Sequence, residues 1–87
     1  MTEEATIHIS SAVVSVLPEH RDEVLRTLAT LRDVEVHHGD ASKIVIVVEA
    51  ADSGNLGVRL AEIASWRGVL SANMVFEQAV KLADIGD

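Results

Sequence analysis

Five consecutive β-branched residues, Ile44, Val45, Ile46, Val47 and Val48, restrict this chain more than any other feature of it. Such side chains are stiff at χ1 and suit the pleated surface of a sheet better than a helix. Successive strand residues point to opposite faces. A run without polar interruption is therefore a strand with two apolar faces, the pattern of a central strand covered on both sides. It is also far too short to cross a bilayer.

Signals for strand and helix alternate on either side of this run. Residues 7–16 read as a strand, carrying Ile9, Val13, Val14 and Val16 and stopping at Leu17-Pro18. Pro18 suits the first turn of a helix, where a missing N–H costs nothing. Glu19, Asp22 and Glu23 then lie near the positive helix end. Val24, Leu25, Leu28 and Leu31 recur at helical spacing as one apolar face, which predicts a helix over residues 18–31. Val34, Glu35, Val36 and His37 alternate as in a half-buried strand, and His38-Gly39-Asp40-Ala41-Ser42 forms a turn. Beyond the strand at residues 43–50, Asp52 or Ser53 is the expected N-cap of a second helix. Leu56, Leu60, Ile63 and Ala64 make its apolar stripe, and Gly68 is placed to end it. Residues 69–78 alternate Leu70, Ala72, Met74 and Phe76 against Ser71, Asn73, Val75 and Glu77 as a last strand.

The order β-α-β-β-α-β is the split βαβ of an α+β, ferredoxin-like domain. The expectation is a four-stranded antiparallel sheet with the first and third strands in the centre and both helices on one face. Both crossovers should be right-handed. With 87 residues there is one domain: a flexible N-terminus over residues 1–6, the ferredoxin-like unit over 7–78, and a frayed tail over 79–87. Small domains are marginal alone, and a 48% hydrophobic composition offsets this. Trp66 and Phe76 are the only aromatic residues, so the core is expected to be aliphatic, with Trp66 capping it at the end of the second helix.

Period two assigns the faces. Ala12, Val14 and Val16, then Ile44, Ile46 and Val48, then Leu70, Ala72 and Met74 should face the helices. The opposite face is then Ile9, Ser11, Val13 and Ser15 beside Val45, Val47 and Glu49. Glu35 and His37 flank it on one side, and Ser71, Asn73, Val75 and Glu77 on the other. No third layer in the sequence can cover it. The result is an apolar strip of Ile9, Val13, Val45, Val47 and Val75 rimmed by carboxylates, the kind of exposed patch that marks an interaction site. Two occupants fit it: a peptide, or a second copy of the chain in a weak homodimer.

The formal net charge of −7 repels phosphate backbones and argues against nucleic acid; it favours cationic partners. Without cysteine there is no disulfide, thiolate metal site or cysteine nucleophile. His37 and His38 point to opposite faces and do not chelate together, so no metal and no cofactor are expected. The serines occupy no nucleophile elbow, and Gly54 and Gly57 complete no phosphate loop. The chain is expected not to be an enzyme. Residues 1–6 are acidic and polar, not basic and then apolar as in a secretory signal. A soluble, cytoplasmic protein without membrane insertion is expected.

Four segments together resemble the NapD family. Ser11-Ala12-Val13-Val14 is similar to its Ser-Leu-Val-Val strand, and Val34-Glu35-Val36 to its second strand. Residues 44–50 followed by Asp52-Ser53 resemble its Ile-Val-Val-Val-Glu-Ala segment. Gly68-Val69-Leu70-Ser71-Ala72 with Val75-Phe76 resembles its Gly-Val-Leu-Ala-Val and Val-Tyr ending. The likeness covers about residues 7–78 and departs at Ala12 and Phe76. It implies a chaperone that binds the twin-arginine signal peptide of the periplasmic nitrate reductase catalytic subunit. Such a chaperone holds the precursor in the cytoplasm while its molybdenum cofactor and iron–sulfur cluster are installed. It implies the sheet face as docking surface and a helical bound peptide. On polarity, Glu49 is the first choice for an arginine partner, with Glu35 and Glu77 behind it. The competing expectation is a small ligand-sensing or dimerising regulatory domain of the same topology.

Overall fold

The computed structural model describes residues 6–37 and 39–81. Its elements are β1 (Thr6–Val16), a 3₁₀ turn (Pro18–His20), α1 (Arg21–Ala29), β2 (Val34–His37), β3 (Lys43–Ala50), α2 (Ser53–Ala64) and β4 (Val69–Lys81). The strands form one sheet in the order β2-β3-β1-β4, every neighbouring pair antiparallel. The ferredoxin-like arrangement expected from the alternation of signals is therefore the one observed. His38 and residues 82–87, with the parts of the expected turn and tail that fall on them, lie outside the described residues, as do residues 1–5.

The first helical segment is shorter than its apolar spacing predicts. Pro18 opens a single 3₁₀ turn closed by the His20 N–H donating to the Leu17 carbonyl at 2.9 Å, and α1 proper ends at Ala29. Leu31 follows as a loop residue still packed on the core. The second helix begins as expected: Asp52 Oδ1 accepts from the Asn55 N–H at 2.8 Å, which satisfies one of the orphan donors of the first turn. It ends at Ala64 with Ser65 as C-cap, before reaching Gly68.

Gly68 does a different job from the one its position suggests. It has φ +85°, its carbonyl accepts from the Leu17 N–H at 2.9 Å, and a β-carbon there would run into the His20 side chain. Gly68→Ala should cost more than about 1 kcal/mol, because both the left-handed backbone and the contact resist a methyl group. Gly57 lies in α2 with open space around it, so Gly57→Ala should gain about 0.5–1 kcal/mol. Urea unfolding of the two variants checks the pair; equal effects would contradict the Gly68 geometry.

One aliphatic layer holds the fold together. Ala12, Val14 and Val16 of β1 and Ile44, Ile46 and Val48 of β3 are buried against Val24 and Leu28 of α1 and Leu56, Leu60 and Ile63 of α2. Both helices thus share the same strand residues and lie on one face. Trp66 packs against this layer from its rim, as expected. Arg59 ties α2 to the start of β2: its Nε and Nη2 donate to the Asp33 carboxylate at 2.7 and 3.0 Å, and its Nη1 to Glu62 at 2.7 Å. The Asp33 carboxylate holds the Arg59 pKa above its ordinary value, against some desolvation.

Candidate functional site

The face of the sheet away from the helices has no second layer over it among the described residues. Its composition follows from strand register, since residues directly opposite in an antiparallel pair share a face. Val13 stands between Val45 and Asn73, Ser15 between Lys43 and Ser71, and Ser11 between Val47 and Phe76. Ile9 lies between Glu49 and Gln78. On the outer edge Glu35 is opposite Val47, and His37 is opposite Val45. The sequence-derived set of Ile9, Ser11, Val13, Val45, Val47, Glu49, Glu35, Ser71 and Asn73 is thus brought together on one surface.

Val75 and Glu77, the other two residues expected on this face, behave differently, and register shifts in β4 are the cause. The register of β4 against β1 shifts between Ser15 and Val16 and again between Ser11 and Ala12. The first shift leaves Leu70 as an extra residue, 65% exposed, and gives Val69 the place opposite Val16. Leu70 is therefore not the core residue that strict alternation predicts. Ala72 stays opposite buried Val14 and Met74 opposite Ala12, although Met74 is 40% exposed at the sheet edge. The second shift leaves Val75 as an extra residue, 68% exposed, and inverts everything beyond it. Phe76, expected on the helix side, lies opposite Ser11 on the open face and is 57% exposed. Glu77, expected on the open face, lies opposite buried Ser10 on the helix side. There its Oε2 is 3.4 Å from His8 Nδ1, close enough for an ion pair when the imidazole is charged but without hydrogen-bond geometry.

β4 also continues to Lys81, past the expected end at residue 78, adding Val80 opposite Ile7. The open face is therefore more apolar than the sequence alone suggests: Ile7, Ile9, Val13, Val45, Val47, Phe76 and Val80 run across it, with Val75 at the bulge.

Its charges are few and unevenly placed. Glu35 Oε2 is 2.9 Å from His37 Nε2 on the exposed outer edge. Asp33 is occupied by Arg59. Glu49 is exposed and has no ion-pair partner among the described residues. Beside it opens a shallow hollow lined by Thr6, Ile7, Arg32, Asp33, Glu49, Ala50 and Ala51. A surface of this kind can hold an apolar segment by area and a cationic group by charge-assisted hydrogen bonds. Among the described residues it presents no nucleophile paired with a base. Among the described residues no three histidine, aspartate or glutamate side chains gather where they could hold a metal ion. No described helix is long and apolar enough to cross a membrane.

Comparison with known proteins agrees with this architecture. The family model described as NapD protein matches residues 7–80. The chain is 43% identical over 72 residues to the protein named Chaperone NapD of Paracoccus pantotrophus, an alignment spanning 83% of this chain and 64% of that relative. It superposes on the solution structure of the E. coli Tat proofreading chaperone protein NapD with a TM-score of 0.74 at 28% identity, covering 83% of this chain and 78% of the other. A transcriptional regulatory protein of the AsnC family from Pyrococcus furiosus matches with a TM-score of 0.61 at 23% identity, over 85% of this chain and 48% of that one, a likeness of fold alone.

Proposed function

Because this chain belongs to the NapD family, we propose that it is a non-enzymatic chaperone whose open sheet face captures the twin-arginine signal peptide of a periplasmic nitrate reductase catalytic subunit. Binding in the cytoplasm would withhold the precursor from export until its cofactors are in place. The observation that carries this reading is a single juxtaposition: the Glu49 carboxylate, without an ion-pair partner among the described residues, beside an apolar strip that none of them covers. A twin-arginine leader has the complementary chemistry, two guanidinium groups and then an apolar stretch. Guanidinium binds carboxylate through parallel hydrogen bonds that an ammonium cannot reproduce. The ligand-sensing or dimerising alternative draws only on the shared fold.

Calorimetric titration with a synthetic twin-arginine leader tests the proposal. The wild-type chain should bind it, and the same peptide with both arginines replaced by lysine should bind more weakly. Glu49→Gln keeps the shape of the side chain and removes its charge, so it should lose about 1–3 kcal/mol of binding free energy. That loss should shrink as salt is raised, because exposed charges are screened. Undiminished binding by Glu49→Gln at every salt concentration would remove Glu49 from the site. No binding of the leader at all would sink the function.

A further inference from the structure

The open face is asymmetric in charge, and we propose that it holds its peptide in one direction, with the cationic end over β2 and β3 and the apolar segment running across β1 onto β4. This rests on the reading of the sheet face as the docking site. Among the described residues, the charged side chains of that face are Glu35 on β2 and Lys43 and Glu49 on β3, with the His37 imidazole beside Glu35. From Val69 to Phe76, β4 has no charged residue, and the bulge at Val75 turns its carboxylate, Glu77, to the helix side.

Within the acidic side the geometry is narrower still. Arg59 engages both Asp33 and Glu62, and Glu35 lies 2.9 Å from His37, so Glu49, with Arg32 lining the same hollow, is the carboxylate most open to an incoming cation among the described residues. Lys43, at the other end of the same strand as Glu49, repels a cation from that end. The same bulge that removes Glu77 brings Phe76 to the open face opposite Ser11, so among the described residues the open face of β4 from Ser71 to Gln78 offers an aromatic ring and no charge. From β2 to β4 is about 14 Å at a strand spacing of about 4.8 Å, a span of about nine helical residues. One leader can therefore place its arginines on the acidic corner and its apolar segment on Phe76 at the same time.

The probe is a synthetic peptide of two arginines followed by an apolar segment of about ten residues, carrying a nitroxide at one end or the other. Amide spectra of the full chain are recorded with each. A nitroxide beside the arginines should quench the amides of residues 35–37 and 47–49 more strongly than those of residues 71–78. A nitroxide at the end of the apolar segment should do the reverse. The opposite pattern would overturn the direction while leaving the sheet face as the site. Quenching confined to helix amides would overturn the sheet face, and the direction with it.

Substitution gives a second readout. Phe76→Ala should raise the Kd of the probe about tenfold by removing apolar contact area. A peptide of the arginine end alone should not sense the change. Val47→Asp sets a new carboxylate beside Glu35, at the cationic corner, whereas Val13→Asp sets one under the apolar segment. Val13→Asp should therefore lose at least about tenfold more affinity than Val47→Asp. Equal losses, or a greater loss at Val47, would overturn the proposed direction.

Discussion

Ile46→Ala should destabilise the fold by about 2–5 kcal/mol, a large share of what a domain of this size has to lose. Ile46 is fully buried at the centre of β3, with Ala12 of β1 and Val36 of β2 directly opposite it. Removing its branched end leaves a cavity between the sheet and the helices that aliphatic neighbours fill only partly, so the lost contacts add to the lost transfer free energy. Leu28→Ala should show the same from the α1 side, since Leu28 is also fully buried. For a chain of this length each kcal/mol corresponds to about 4–8 °C in Tm. Leu70→Ala is the informative contrast. Strict alternation makes Leu70 a core residue, but the bulge leaves it 65% exposed, so its loss should stay within about 0.5 kcal/mol. Urea unfolding of the three variants decides the matter. Losses under about 1 kcal/mol at both Ile46 and Leu28, or a large loss at Leu70, would mean that a different face of the sheet is the core.

Val13→Asp should abolish most of the affinity for a twin-arginine leader, about 3 kcal/mol or more, which is over a hundredfold in Kd. Val13 lies on the open face midway across the sheet, between Val45 and Asn73. A carboxylate there meets the apolar part of the peptide and must either stay hydrated, holding the peptide off, or be buried unpaired. The free protein tolerates it better, because the position is only half-buried. The stability cost should be about 1 kcal/mol, the range of strand propensities. Val13→Thr keeps the shape and adds no charge, so it should retain more of the affinity. Titration of both variants, with circular dichroism to confirm folding, separates loss of docking from loss of fold. Full binding by a folded Val13→Asp would exclude the open face as the site of docking.

Much of this protein follows from patterns that lie within a few residues of one another. The β-branched run of β3 and the helical spacing of Leu56, Leu60 and Ile63 each report a local period, and a local period needs no partner to be read. The Asp52 cap is of the same kind, because donor and acceptor are three residues apart. From these elements the topology follows, since two helical crossovers on one small antiparallel sheet have few arrangements. The apolar strip on the outer half of β1 and β3 was legible for the same reason.

What the chain's own patterns could not decide lies along β4 and at one end of the sheet. The stretch Met74-Val75-Phe76-Glu77 fits more than one alternation, and only pairing with β1 inserts a bulge at Val75 and chooses which of Phe76 and Glu77 faces out. A bulge is a property of two strands in register, and neither strand carries it alone. The shift at Leu70 has the same origin. The ion pairs of Arg59 span 26 residues to Asp33 but only 3 to Glu62, so helical spacing reveals the second and tertiary packing alone creates the first. That long-range pair occupies Asp33, and Glu49 is left as the open carboxylate beside the apolar strip.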